Sequence, residues 1–94
     1  MSDADGVETA LDPMSAKPLY MQLADTVAAK IDSGELAPDR PIPSENHLAD
    51  EYGVARLTAR RAAKELRERG LIITVRGKGS FVVKQPPTKD GASA

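Results

Sequence analysis

The sequence has no cysteine and very few aromatic side chains, and these absences limit what kind of protein it can be. It contains no Cys, no Trp, one Phe and two Tyr among 94 residues. Without thiols it can form neither a disulfide framework nor a thiolate metal site, and it fits a reducing cytoplasm. The length and the scarcity of aromatics predict at most one domain with a small aliphatic core, since a domain this small buries only about 60% of its unfolded surface.

Long apolar runs are also missing. The longest extends from Leu71 to Ile73, whereas a membrane-spanning helix needs about 20 apolar residues. The first residues include Asp3 and Glu8 and no early cation, which is the wrong start for a secretion signal. We therefore expect a cytoplasmic protein with no membrane partner.

The net charge of −1 conceals a strong separation of charge along the chain. Residues 1–55 hold three cations and eleven acids, whereas residues 56–84 hold nine cations and two acids. Such a split predicts one basic face, which is typical of a nucleic-acid contact, and one acidic face on the opposite side. The alternative is a dipolar surface that is simply solvated.

The spacing of apolar residues predicts three helices. The first opens at Pro18, which suits a first-turn position, buries a stripe around Leu23 and Val27, and ends at Gly34 as a left-handed cap. A proline-rich connector follows, from which Leu36 and Ile42 can reach the core. Residues 40–42 can also pair as a short edge strand.

The second and third helices form a helix-turn-helix pattern. Ser44 is a suitable N-cap for the second helix, and Gly53 ends it after about two turns. The third helix ends at Gly70. The side chains predicted to be buried are Leu48, Ala49 and Tyr52 in the second helix and Ala59, Ala62, Ala63 and Leu66 in the third.

A β-hairpin is predicted after the third helix. Residues 71–75 and 81–83 are β-rich, and Arg76–Gly79 is a glycine-containing turn with a cationic tip. Alternation predicts that one face is half-buried, and its members are Leu71, Ile73, Val75, Phe81 and Val83. The predicted fold is mainly α with a small antiparallel β-sheet, a winged helix-turn-helix of three helices plus a hairpin wing. Its expected limits are a disordered arm over 1–15, the domain over 16–84 and a disordered tail over 85–94.

The cations of the third helix follow a helical row. Arg56, Arg60, Lys64 and Arg67 recur at spacings of three and four, on a side of the helix other than the alanine stripe. In a helix-turn-helix the start of this helix enters the major groove, where Arg56 and Arg60 can each read a guanine. The alternative is that both are solvated and pair with Asp50 or Glu51. For Arg67 and Arg69 we favour a surface helix with internal pairs such as Lys64–Glu68 and Glu65–Arg69, whereas Arg61 and Lys64 are equally compatible with phosphate contacts.

With these motifs the chain resembles the amino-terminal domain of the GntR family of bacterial transcription regulators. The resemblance covers about residues 18–83. The residues that carry it are Pro18–Gln22, Gly34–Leu36, Pro43–Glu45, Leu48–Ala49, Tyr52–Val54, Arg56, Thr58, Arg60, Ala62, Leu66, Gly70–Ile72 and Gly77–Val82.

The resemblance implies binding to operator DNA, with the third helix in the major groove and the wing at the minor groove. Family contacts map onto Ser44, Arg56, Thr58, Arg60 and Gly77. This chain has Asn46 where the family has an arginine, Ala55 where it has a serine, and Asp39 where it has a glycine. GntR regulators continue into a larger effector-binding and dimerisation domain, whereas about ten residues follow the wing here, so we expect no small-molecule effector domain.

The predicted function is a sequence-specific DNA-binding transcription regulator, a repressor acting at an operator. Its partner is double-stranded DNA, a homodimer on a palindromic operator is expected of the class, and its location is the bacterial nucleoid. The alternative is a winged-helix protein-interaction module, and structured RNA ranks below both because stacking aromatics are missing. The candidate DNA-binding residues are Ser44, Glu45, Asn46, Arg56, Leu57, Thr58, Arg60, Arg61, Lys64, Arg76, Gly77, Lys78 and Gly79.

No catalytic or metal chemistry is indicated by the sequence. His47 has no second histidine or cysteine at ligand spacing, so we expect no metal and no cofactor. The segment Arg76–Ser80 lacks the spacing of a phosphate-binding P-loop and lies between strands. No nucleophile has a base and an orienting acid in a recognisable motif, so the sequence predicts no enzyme.

Overall fold

Three helices and one hairpin follow one another in the computed structural model, which describes residues 11–83. The helices are α1 (Leu19–Ser33), α2 (Glu45–Tyr52) and α3 (Arg56–Glu68), and the strands are β1 (Ile72–Val75) and β2 (Gly79–Val82). This order confirms the predicted winged helix-turn-helix. The expected tail over 85–94 and residues 1–10 of the expected arm lie outside the described residues.

Residues 11–15, at the end of the expected arm, contact α1. The Asp12 amide donates a 2.8 Å hydrogen bond to Gln22 Oε1, and Gln22 Nε2 donates to the carbonyls of Asp12 and Lys17 at 2.9 and 2.7 Å. Leu11 packs, partly buried, against the core. Gln22 therefore attaches this segment to the first helix.

The helix ends follow the predicted capping residues with one difference. Pro18 is the N-cap of α1 instead of a first-turn residue, and its carbonyl accepts hydrogen bonds from the Met21 and Gln22 amides at 3.0 Å. Ser44 caps α2 by accepting from the His47 amide at 3.1 Å. At the end of α3 the chain reverses through Gly70, whose φ is 79°.

The core is aliphatic and centred on α3, as predicted. All four residues of the predicted α3 stripe are buried, and so are the three predicted in α2. Alanine at three of the four α3 positions lets α1 and α2 approach the helix closely. The buried set is Leu23, Ala24, Val27, Ile31, Ile42, Leu48, Ala49, Tyr52, Ala59, Ala62, Ala63, Leu66, Ile72 and Val82.

The connector between α1 and α2 adds a short edge to the hairpin. Pro41 forms an isolated bridge with Phe81, the Ile42 amide donates to the Ser80 carbonyl, and the Val82 amide donates to the Arg40 carbonyl, both at 2.9 Å. This confirms the predicted edge pairing. In the same connector Asp39 has a φ of 66°, a conformation in which glycine is unstrained, and glycine is the residue that the resembled family has there.

The predicted half-buried face of the hairpin is wrong at Ile73 and Val75, whereas Leu71, Phe81 and Val83 are half-buried as predicted. The antiparallel register pairs Ile72 with Val82, and these two side chains enter the core, whereas Ile73 is 51% and Val75 37% exposed. The phase is fixed by the turn after α3, where the Leu71 amide donates to the Leu66 carbonyl and Ile72 consequently packs against the helices. Because strand side chains alternate, the inward position of Ile72 places Ile73 on the opposite, exposed face.

Candidate nucleic-acid interface

The start of α3 presents two arginines and a leucine to solvent. Arg56, Leu57 and Arg60 border one surface depression, together with Glu45 and Asn46 from the first turn of α2. Leu57 is 63% exposed, whereas the apolar stripe of α3 is buried. This end of α3 is therefore accessible to a large partner.

The first turn of α2 contacts both arginines. Arg60 Nε lies 3.7 Å from Glu45 Oε1, and Arg56 Nη1 donates to Asn46 Oδ1 at 3.4 Å. Arg60 keeps 70% of its side chain exposed, so the ion pair restrains the guanidinium without covering it. The two guanidiniums remain available to acceptors outside the protein.

Two further candidate residues, Ser44 and Thr58, carry hydroxyl groups. Ser44 is exposed, and its oxygen accepts the capping hydrogen bond from His47, so its own proton is available to an acceptor. Thr58 is half-buried in the first turn of α3. Ala55 provides no side-chain cap, so the first amides of α3 lack a protein side-chain partner at that position.

The wing tip is cationic and sterically open. Arg76, Gly77 and Lys78 form the turn, and all three are exposed. Gly77 and Gly79 have φ values of 81° and 117°, and no heavy atom of the described residues lies within 4 Å of where a Cβ would be. The backbone of this turn can therefore approach a ligand closely.

The wing and the start of α3 lie on one continuous surface. A cleft between the hairpin and α2 is bordered by Lys78 and Gly79 on one side and by Ser44, Glu45 and Asn46 on the other. Glu45 and Asn46 also border the depression that contains Arg56 and Arg60. The first turn of α2 thus joins the two basic elements. Below, the surface formed by Ser44–Asn46, Arg56–Leu57, Arg60 and Lys78–Gly79 is called the basic face.

Two candidate residues point elsewhere. The Arg61 guanidinium lies over the Tyr20 ring, 4.4 Å from its centroid, and Lys64 Nζ lies 2.9 Å from Glu68 Oε2. Both border a small depression beside α1, not the basic face. The structure forms the Lys64–Glu68 and Glu65–Arg69 pairs that we predicted for a surface helix.

Sequence reasoning missed two hydroxyls of the wing. Thr74 and Ser80 are cross-strand partners whose side-chain oxygens lie 2.9 Å apart, and Arg67 Nη1 donates to Thr74 Oγ1 at 3.0 Å. Both border the cleft between the hairpin and α2. The sequence contained a signal for this pair, because Thr74 and Ser80 flank the glycine-containing turn at positions that face each other in a hairpin. Arg67 is therefore bonded to the wing, which its helical spacing did not indicate.

Two negative findings concern the described part of the chain. Residues 11–83 contain no group of three or more His, Asp or Glu side chains placed to hold a metal ion. Over the same range, every helix is too short or too polar to traverse a lipid bilayer.

A family model and several curated proteins match this chain. The model described as bacterial regulatory proteins, gntR family, matches residues 19–82. The transcriptional repressor NagR of Bacillus subtilis is 38% identical over 74 residues, which are 79% of this chain and 30% of that protein. The mannosyl-D-glycerate transport/metabolism system repressor MngR of Escherichia coli is 39% identical over 72 residues, 77% of this chain and 30% of the relative. The chain thus spans about 30% of the length of these relatives.

Solved structures share both the fold and the sequence. The DNA-binding domain of AraR, crystallised in complex with an operator, has a TM-score of 0.73 and 37% identity, and the match covers 79% of this chain and 94% of that one. YtrA from Sulfolobus acidocaldarius, a GntR-family transcription factor, has a TM-score of 0.72 and 35% identity over 79% of this chain and 78% of its own.

Proposed function

Because the chain belongs to the gntR family of bacterial regulatory proteins, we propose that it is a sequence-specific DNA-binding transcription regulator that represses by occupying an operator. The names of the relatives NagR and MngR support repression, and the operator complex of AraR supports DNA as the ligand. The family consists of regulators, so this chain is not an enzyme.

The observation that carries the proposal is the continuity of the basic face. DNA presents its phosphates and base edges along one side of the protein. A DNA-binding protein therefore needs the helix that enters the groove and the residues that contact the DNA backbone on the same side. Here the arginines of α3 and the lysine of the wing are joined through the first turn of α2. The acidic residues Asp50 and Glu51, in the last turn of α2, belong to neither depression.

We assign the contacts by chemistry. Arg56 and Arg60 enter the major groove with the start of α3 and bind base edges, and Leu57 between them offers an apolar contact. Ser44, Asn46 and Thr58 donate to phosphates, and the wing, through Arg76 and Lys78 and the open backbone at Gly77 and Gly79, follows the minor groove. Arg61 and Lys64 reach phosphates only if they leave Tyr20 and Glu68.

The assembly and location are part of the same proposal. We propose that residues 16–84 form the DNA-binding domain and that two copies bind a palindromic operator, because a symmetric pair of half-sites doubles the contacts that one small domain makes. The proposed location of the protein is the bacterial cytoplasm, at the nucleoid.

Selection from a randomised duplex pool tests the proposal. The wild-type chain should enrich a common sequence, and Arg60→Ala should weaken binding to it by about 1–3 kcal/mol, the value of one bidentate base contact. Thermal unfolding should be nearly unchanged, because Arg60 is 70% exposed. Enrichment of no common sequence, with equal binding by the mutant, would favour a winged-helix protein-interaction module instead.

A further inference from the structure

An acidic residue lies within the basic face. Glu45 is in the first turn of α2, and its Oε1 is 3.7 Å from Arg60 Nε, while its side chain is 41% exposed. A carboxylate at this place is unfavourable for loose binding to a polyanion, because nearby phosphates repel it. Helix capping alone does not require it here, since Ser44 already caps α2 through its side chain.

The Glu45 carboxylate restricts the orientation of the Arg60 side chain. An arginine side chain is long and loses rotamer freedom when it is fixed, so an anion beside one edge of the guanidinium favours a restricted set of orientations. The remaining N–H groups are left for an acceptor pair such as guanine O6 and N7. Arg56 is contacted differently, by the neutral amide oxygen of Asn46 at 3.4 Å, so only Arg60 has a charged partner on this face.

We propose that Glu45 is a positioning residue that makes the chain discriminate operator from other DNA by restraining Arg60. The inference depends on the proposed DNA-binding function. On the operator, Arg60 binds a base edge in the orientation that Glu45 favours. On other DNA, Arg60 gains most by turning to a phosphate, and Glu45 opposes that movement by holding the guanidinium and by repelling the phosphate.

The test compares Glu45→Gln with a matched control, Glu51→Gln. Both glutamates are in α2 and are similarly exposed, at 41% and 36%, but Glu51 is at the other end of the helix, where its Oε1 lies 3.7 Å from His47 Nε2. Each variant removes one negative charge. Binding is measured to the duplex that the wild-type chain selects from a randomised pool and to a scrambled duplex of the same composition.

We expect Glu45→Gln to lower the ratio of specific to non-specific affinity about tenfold, equivalent to about 1.4 kcal/mol and within the range of one lost base contact. Most of the change should be tighter binding to the scrambled duplex. Glu51→Gln should leave the ratio at the wild-type value. A Glu45→Gln ratio equal to that of Glu51→Gln would overturn the inference.

A double-mutant cycle shows whether Glu45 acts through Arg60. In an Arg60→Ala background, Glu45→Gln should change the ratio no further, because the side chain that it restrains is gone. An equal loss in both backgrounds would mean that Glu45 touches the DNA itself, for example a cytosine amino group, and would also overturn the inference.

A second variant covers the case in which Glu45→Gln weakens the fold, which circular dichroism and thermal unfolding will report. Glu45→Asp keeps a first-turn anion for the helix dipole but shortens the reach to Arg60. It should lower the ratio mainly through weaker operator binding, and wild-type discrimination in this variant would contradict the inference. If the wild-type chain selects no sequence, the proposed function fails; if it selects one and the glutamate variants keep the ratio, only this inference fails.

Discussion

At the scale of single residues, Leu57 is an exposed apolar side chain on the basic face. It is 63% exposed, whereas the apolar stripe of α3 from Ala59 to Leu66 is at most 2% exposed. It lies between Arg56 and Arg60 at the end of α3 that we place in the major groove. The major-groove feature that an apolar side chain recognises is the 5-methyl group of thymine.

We therefore predict that Leu57→Ala abolishes a thymine preference at one operator position. Binding of the wild-type chain should weaken by about 0.8 kcal/mol, the value of burying one methylene-sized group, when that thymidine is replaced by deoxyuridine, which lacks only the methyl group. The mutant should bind both duplexes equally, and its thermal stability should not fall. Fluorescence anisotropy with the two duplexes measures this, and equal sensitivity of mutant and wild type to the methyl group would exclude the contact.

At the same scale, contacts between residues close in the sequence could be predicted, and contacts between distant residues could not. The Glu65–Arg69 pair was predicted because helical spacing brings the two side chains together. The second contact of Arg69, to Asp25 Oδ1 at 2.9 Å, joins residues 44 positions apart, and no local pattern encodes it. The stacking of Arg61 on Tyr20 was missed for the same reason.

At the scale of elements, an ion-pair network attaches α1 to the end of α3. Asp25 accepts from Lys17 Nζ at 2.6 Å and from Arg69 Nη2 at 2.9 Å, and Arg69 Nε also donates to Glu65 at 2.9 Å. The hydrogen bond from Lys17 is the main cause that lowers the pKa of Asp25 below its ordinary value of 3.8; partial burial opposes it, and Arg69 adds to the lowering.

This network predicts a pH-dependent effect of Asp25→Asn. A carboxyl whose pKa is lower in the folded state stabilises the fold above its unfolded pKa, and this stability is lost as the pH falls through the folded pKa. At neutral pH the variant should lose about 0.2–1 kcal/mol, a small value because Asp25 is 40% exposed and solvent screens the pairs. The loss should shrink as the pH is lowered below 3.8.

Urea unfolding at neutral and acidic pH measures this loss. Asp50→Asn on the exposed side of α2 is the control, because Asp50 takes no part in the network. A loss that stays the same at both pH values would show that Asp25 stabilises the fold by something other than its charge.

The elements themselves could be predicted because their signals are local. Ser44, Gly34 and Gly53 mark helix ends through their own capping chemistry, and the structure uses each of them in that way. The sequence indicated less clearly which side chains of the hairpin are buried. Residues 71–73 are all apolar, so alternation there cannot decide which side is buried, and the turn at Gly70 decides it instead.

At the scale of the whole molecule, acidic residues from the first half of the chain meet cations from the second half. Eight of the nine cations of residues 56–84 are among the described residues, and they lie in α3, at its C-cap and in the wing turn. Asp25 pairs with Arg69 at the end of α3, and Glu45 lies beside Arg60 on the basic face. The guanidiniums of α3 and the wing lysine share one side of the molecule because of how α2 packs between them. The function predicted from the sequence required this arrangement, but the sequence did not show it.

Amide chemical-shift mapping by NMR, during titration with the selected operator duplex, tests directly whether the basic face binds DNA. This binding mode predicts the largest changes at Ser44–Asn46, at Arg56–Arg60 and at Gly77–Gly79, all saturating together, with α1 little affected. Changes concentrated on α1, with the start of α3 and the wing tip unmoved, would contradict it.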